Sequence, residues 1–151
     1  MNLKKLPIRR IMLLLAIFAI TFSSLVTFVP LKSGIESSLM FYVLKTKELS
    51  DGNLDGTNLN INFGSQKDGV LATCYFFRGE VIVNKKSWNK LNYHGRILLI
   101  AHEIAHCYKK IGHINKVDSW GCADNFMHYK DTGIWCNKYN FKKYVKQMKE
   151  I

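Results

Sequence analysis

The stretch LLIAHEIAHCYKKIGHINKVD, residues 98–118, sets two histidines four residues apart, with a glutamate directly after the first. On an α-helix, residues i and i+4 differ by about 40° in direction and about 6 Å in height. His102 and His106 therefore project side by side and can share one zinc ion. Glu103 points roughly 100° away, beside the metal and not onto it. From there it can take a proton from a water that the metal polarises. This is the physical content of the H-E-x-x-H pattern. The competing reading, a helix whose histidines merely cover polar surface, fits poorly because the segment is otherwise apolar.

Working outward, the pattern is helical from Asn92. Ile97, Ile100, Ala101, Ile104 and Tyr108 form one stripe. Asn92 is the expected N-cap, and Gly112 the expected stop. Catalytic zinc usually takes three protein ligands and leaves one position open. The only glutamate after Glu103 is Glu150, next to the end, which disfavours a later glutamate as ligand. His113, Asp118 and His128 are the remaining candidates. His113 comes first, because Gly112 lets the chain turn back over the helix end, and Asp118 second.

Upstream, residues 36–50 read as a helix with Leu39, Tyr42, Val43 and Thr46 on one side. NLNINFG, residues 58–64, alternates and reads as a strand. GVLATCYFF and GEVIVN read as two more strands, joined through Arg78 and Gly79 as a tight hairpin. DGNLDG, residues 51–56, opens like a calcium loop, but the glutamate required at its twelfth position is Asn62 here, so it reads as a turn. Trp88 reads as core. Near the end, Phe141, Tyr144, Val145 and Met148 mark one face of a terminal amphipathic helix.

The N-terminus has another character. The first ten residues hold four of the chain's 22 basic residues and none of its 11 acidic ones, which leaves 18 basic against 11 acidic beyond them. The next stretch, Ile11 to Val29, carries no charge. A basic flank followed by about 20 apolar residues is a membrane anchor or a signal peptide. The run is longer than a signal-peptide core and no A-x-A site follows it, which favours an uncleaved anchor. Lys4, Lys5, Arg9 and Arg10 would then keep the N-terminus inside. Residues 1–30 are thus expected to be the anchor or signal, and residues 31–151 one extracytoplasmic domain. All four cysteines lie in that domain without C-x2-C spacing, so disulfides are expected over a zinc ribbon. The expected pairs are Cys107–Cys122 and Cys74–Cys136. No nucleic-acid motif is present, and the positive charge is unspecific as to partner.

Together these residues resemble the metzincins, a clan of zinc endopeptidases that includes matrixins and astacins. The clan pattern is H-E-x-x-H-x-x-G-x-x-H, followed by a turn containing methionine. His102, Glu103, His106 and His113 match it, and NFMHY, residues 125–129, supplies Met127 beneath the metal. The astacin form of that turn, MHY, implies a transition-state role for Tyr129. The third histidine comes one residue later than in the standard pattern, and Lys109 stands where the clan has glycine. Small bacterial and phage proteins resembling matrixins carry this longer spacing. They often have a cysteine directly after the second histidine, as Cys107, and another five residues before the methionine, as Cys122.

The resemblance implies an α+β, zincin-like fold. It would comprise a small mixed sheet, an edge strand (GEVIVN) over the H-E-x-x-H helix, a methionine turn and a C-terminal helix, preceded by the N-terminal hydrophobic helix. It implies zinc as cofactor and an extended protein or peptide as substrate, paired to the edge strand. The alternatives are a zincin-like module without turnover that serves envelope binding or assembly, and a hydrolase of peptidoglycan cross-links. An intact Glu103 favours the enzyme.

Overall fold

A computed structural model describes residues 34–128 and 133–151. The expected anchor or signal and Tyr129 lie outside the described residues. Helix α1 spans Ser37–Leu49 and buries Leu39, Val43 and Thr46. Three short strands follow: β1 (Asn60–Gly64), β2 (Ala72–Tyr75) and β3 (Glu80–Asn84). After a single turn, α2 (Lys85–Trp88), comes the long helix α3 (Tyr93–Lys109). Two helices, α4 (Ile134–Tyr139) and α5 (Phe141–Lys149), close the chain. Among the described residues, no helix is long and apolar enough to cross a membrane.

The architecture is mixed α+β with one three-stranded mixed sheet in the order β1-β3-β2. β1 runs parallel to β3, and β2 forms an antiparallel hairpin with it. This corrects the expectation that GEVIVN is the edge strand: as β3 it lies in the centre, and the edge on its hairpin side is β2. Alternation in GEVIVN reports which face is buried, and Val81 and Val83 are indeed fully buried. It carries no information about how many neighbours the strand's backbone has.

The hairpin turn is also longer than Arg78-Gly79. Phe76–Arg78 wind into one 3-10 turn, and Gly79 takes the left-handed conformation at φ 57°. Phe76 and Phe77 thus leave the strand and stand at the tip.

α3 starts as the sequence demands. The Gly95 N–H donates to the Asn92 side chain at 2.8 Å, which satisfies one orphan donor of the first turn. Ile97, Ile100, Ala101 and Ile104 are fully buried between α1 and the sheet. Tyr108, placed by periodicity on the same stripe, is instead 53 % exposed, because the helix end runs past the core. The helix stops at Lys110, which adopts the left-handed conformation at φ 57°, and not at Gly112. A lysine there costs roughly 1 kcal/mol in backbone sterics, and the return of the chain over His106 offsets it.

The turn at residues 51–56 packs as structure. Leu54 is fully buried, and a Cβ on Gly56 would come within 2.5 Å of Ile104 Cδ1. Its carboxylates pair with lysines: Asp51 with Lys149 at 2.9 Å and Asp55 with Lys47 at 2.6 Å. Trp88 is in the core, edge-on to Tyr42 at 4.9 Å. Tyr144 and Met148 of α5 are buried, with Phe141 and Val145 packed against the same core.

The cysteine pairing differs from the expected one. The bonds are Cys74–Cys107 and Cys122–Cys136. Cys107 sits on the side of α3 that faces the sheet, so its partner is the strand β2 beneath it. Cys122 is left to fasten the loop before the methionine turn to α4.

Candidate metal centre

Three imidazoles meet at the C-terminal end of α3. His102 Nε2 lies 2.9 Å from His106 Nε2 and 3.2 Å from His113 Nε2, and His106 and His113 are 3.1 Å apart. Among the described residues these form the cluster in which three side chains are positioned to hold a metal ion. Nitrogens bound tetrahedrally at about 2.05 Å from one zinc would lie about 3.3 Å apart. The triangle is thus within a few tenths of an ångström of the required size.

The backbone decides where the ring protons sit. His102 Nδ1 is 3.0 Å from the Phe126 carbonyl, and His106 Nδ1 is 2.5 Å from the Ile111 carbonyl. A carbonyl only accepts, so each Nδ1 carries the proton and donates it. Each of these two Nε2 atoms then presents a lone pair towards the other. Without an electrophile between them that contact is repulsive; with one it is a ligand set whose tautomers are already chosen. Burial, reinforced by repulsion from the neighbouring histidines His106, His113 and His128, holds the His102 imidazole well below its usual pKa, at about 4. Burial lowers His106 as well. Both imidazoles are therefore neutral near pH 7, the form in which a metal could be bound.

Glu103 does not join the triangle. It is 5 % exposed, and burial pushes its carboxyl up to about 7, partly offset by a hydrogen bond from the Cys74 backbone. A carboxyl poised near neutrality beside a cluster of nitrogen ligands has the properties of a general base.

His113 reaches the centre because the chain reverses at Lys110. The Ile114 N–H then donates to the Met127 carbonyl at 3.0 Å, tying the returning segment to the methionine turn. Met127 is fully buried, and its N–H donates to Asn125 Oδ1 at 2.8 Å. Asp118, the rival third ligand, is committed elsewhere. Its carboxylate accepts from the Trp120 and Cys122 N–H groups and from Asn140 Nδ2, at 2.9, 3.0 and 3.1 Å. His128 lines the adjoining cleft outside the triangle.

That cleft has a volume of about 780 Å³. His102, Glu103 and His113 contribute to its polar side, and Leu71, Leu98, Leu99 and Phe126 to its apolar side. The edge strand borders it. The Leu71 carbonyl accepts from the Asn84 N–H at 2.8 Å, and the register pairs Ala72 with Val83 and Cys74 with Val81. Paired residues in an antiparallel ladder alternate between exchanging both bonds and turning both backbone groups away. Ala72 and Cys74 are therefore the residues whose backbone groups face off the sheet, and the Cys74 group meets Glu103.

Several positioning groups have no sequence signal. The Phe126 and Ile111 carbonyls belong to the backbone of residues whose side chains do other work. Gln147, on the terminal helix, accepts from the Phe126 N–H at 3.2 Å and donates to the Asp124 carbonyl at 3.0 Å. Tyr144 Oη donates to the Ala123 carbonyl at 2.6 Å. These side chains hold the loop that carries the histidine-orienting carbonyl. Compared with known proteins, the chain matches no family model, no curated protein and no solved structure.

Proposed function

We propose that the domain is a zinc-dependent endopeptidase of metzincin type, with His102, His106 and His113 as metal ligands and Glu103 as general base. The observation that carries the reading is the triangle of Nε2 atoms with a buried carboxyl next to it and outside it. A donor set of imidazoles alone, with every cysteine in a disulfide, favours zinc or another borderline transition metal over magnesium or calcium. A zinc ion held there supplies Lewis-acid polarisation of a peptide carbonyl and acidifies the attacking water.

The chain's own groups do the rest. Glu103 accepts the proton of the water at its carboxylate and returns it to the leaving amine. The Cys74 backbone orients that carboxylate. β2 offers the outward backbone groups of Ala72 to an extended peptide, which adds as a further strand. The apolar side of the cleft receives a side chain of that peptide and keeps water from the reacting carbonyl. Met127 serves as the methionine beneath the metal, and Tyr129 as a hydrogen-bond donor to the transition state. Two disulfides support work in an oxidising, extracytoplasmic compartment, consistent with the charge-free N-terminal run as an anchor.

The test is Glu103→Gln. It should retain one zinc per chain and lose hydrolysis of a peptide library by about 10² to 10⁴-fold, the usual worth of general acid–base catalysis. Near-normal turnover by the variant excludes the mechanism. Zinc binding without turnover in the unaltered chain selects the alternative, a zincin-like module that binds envelope components.

A further inference from the structure

The tip of the β2–β3 hairpin belongs to no part of the metal centre, yet it departs from the ordinary pattern of a protein surface. Phe77 is 99 % exposed, and its neighbours Tyr75 and Phe76 are 41 % and 39 % exposed. Three consecutive aromatic side chains therefore stand in water on one turn. Cations surround them. Lys110 Nζ lies 4.8 Å from the centre of the Phe76 ring, and the Arg78 guanidinium 5.7 Å from that of Tyr75. Lys109 is exposed beside Lys110. Arg78 approaches Glu80 only to 4.0 Å, with its own side chain 75 % exposed, so the pairing leaves its charge facing outward.

We propose that this tip docks the domain on an anionic lipid bilayer. Phe77 is the most exposed side chain of the turn, and the cations lie against its neighbours Phe76 and Tyr75. A projecting aromatic suits the boundary between headgroups and acyl chains, where amphipathic aromatic rings concentrate. Cations against the neighbouring rings attract the phosphates of anionic lipids. The turn is also held firm. Gly79 closes it in the left-handed conformation, and Cys74 at its base is bonded to Cys107 of α3. Phe77 is thus presented without an ordering step that would weaken binding. The proposal rests on the turn and the lysines at the end of α3 beside it, and stands whether or not the domain cleaves peptides.

The experiment uses the compact unit Lys32–Ile151, which contains the described core and both disulfides and omits the apolar N-terminal run that would itself enter lipid. Sedimentation with vesicles of phosphatidylglycerol and phosphatidylcholine should recover the unit, and vesicles of phosphatidylcholine alone should recover much less. Phe77→Ser should lower partitioning by about tenfold, the worth of one buried aromatic side chain. Arg78→Glu combined with Lys110→Glu should lower it by more than about fivefold per cation on the anionic vesicles. Phe77→Trp should keep binding and gain fluorescence quenching by brominated lipid. Unchanged partitioning of Phe77→Ser overturns the proposal. So does binding to soluble polyglutamate as tight as binding to the anionic vesicles, which would make the patch a site for acidic peptides.

Discussion

The two edges of the sheet are finished in opposite ways. Along β1, the backbone groups that face outward are covered: the Ile61 N–H donates to the Gly34 carbonyl at 3.2 Å, and the Ile61 carbonyl accepts from the Glu36 N–H at 2.9 Å. The next outward donor, the Phe63 N–H, meets Glu36 Oε2 at 3.2 Å. Along β2, Ala72 lines the cleft beside the histidines, and the Cys74 backbone meets the catalytic candidate Glu103. An uncovered strand edge is an aggregation hazard that proteins usually blunt. Among the described residues, one edge is closed by the protein's own chain, and the other borders the cleft that holds the three histidines. The difference teaches that, under the proposed function, backbone left open among the described residues marks the substrate side of the sheet as much as the histidines do.

The contrast yields tests of decreasing size. The largest effect should come from what the open edge faces. His102→Ala should abolish stoichiometric zinc binding while Asp118→Asn retains it. Elemental analysis of the two purified proteins decides between them, and equal zinc contents would end the three-histidine assignment.

Next come the disulfides, which strap the two sides differently. Cys74 and Cys107 are 33 residues apart and Cys122 and Cys136 are 14 apart. In the chain-entropy model, replacing both cysteines of each pair by alanine should cost about 3.7 and about 3 kcal/mol respectively, measured by urea unfolding. Loss of the first pair should also reduce activity at temperatures where the domain remains folded, because it releases β2 from α3. Equal activity of the two variants would show that β2 is positioned without the strap.

A smaller effect isolates the open edge. The Ala72 N–H points off the sheet, so Ala72→Pro removes no ladder bond. It should leave stability nearly intact and lower kcat/KM by roughly three- to tenfold, the worth of one hydrogen bond to a docked strand. The smallest belongs to the closed edge. Glu36→Ala should cost about 1 kcal/mol of stability with zinc content and turnover unchanged. A drop in turnover there would mean that the two edges are not independent.

Much of this was legible in local patterns. The helix bearing His102 and His106, its Asn92 cap, its buried Ile97, Ile100 and Ile104, and the terminal helix with Tyr144 and Met148 all follow from a period near 3.6 and from cap chemistry. Such features involve neighbours a few residues apart, so short-range sterics and the need to bury one face determine them. The choice of His113 over Asp118 was only ranked by the sequence, since both lie within reach of a chain that reverses at the helix end.

Tertiary structure alone decided the rest. The period of two in GEVIVN could not say whether the strand was central or at an edge, because backbone hydrogen bonding is common to all residue types. Cysteine spacing could not select Cys74–Cys107, since a disulfide depends on which elements pack together and not on their order along the chain. The helix stop fell on Lys110 and not on Gly112 because the reversal brings the Ile111 carbonyl onto His106, which outweighs the local preference for glycine. The carbonyls that orient the imidazoles, and Gln147 behind one of them, leave no trace in the sequence for the same reason. A backbone acceptor is present at every residue, and only the fold determines which one is brought against a histidine.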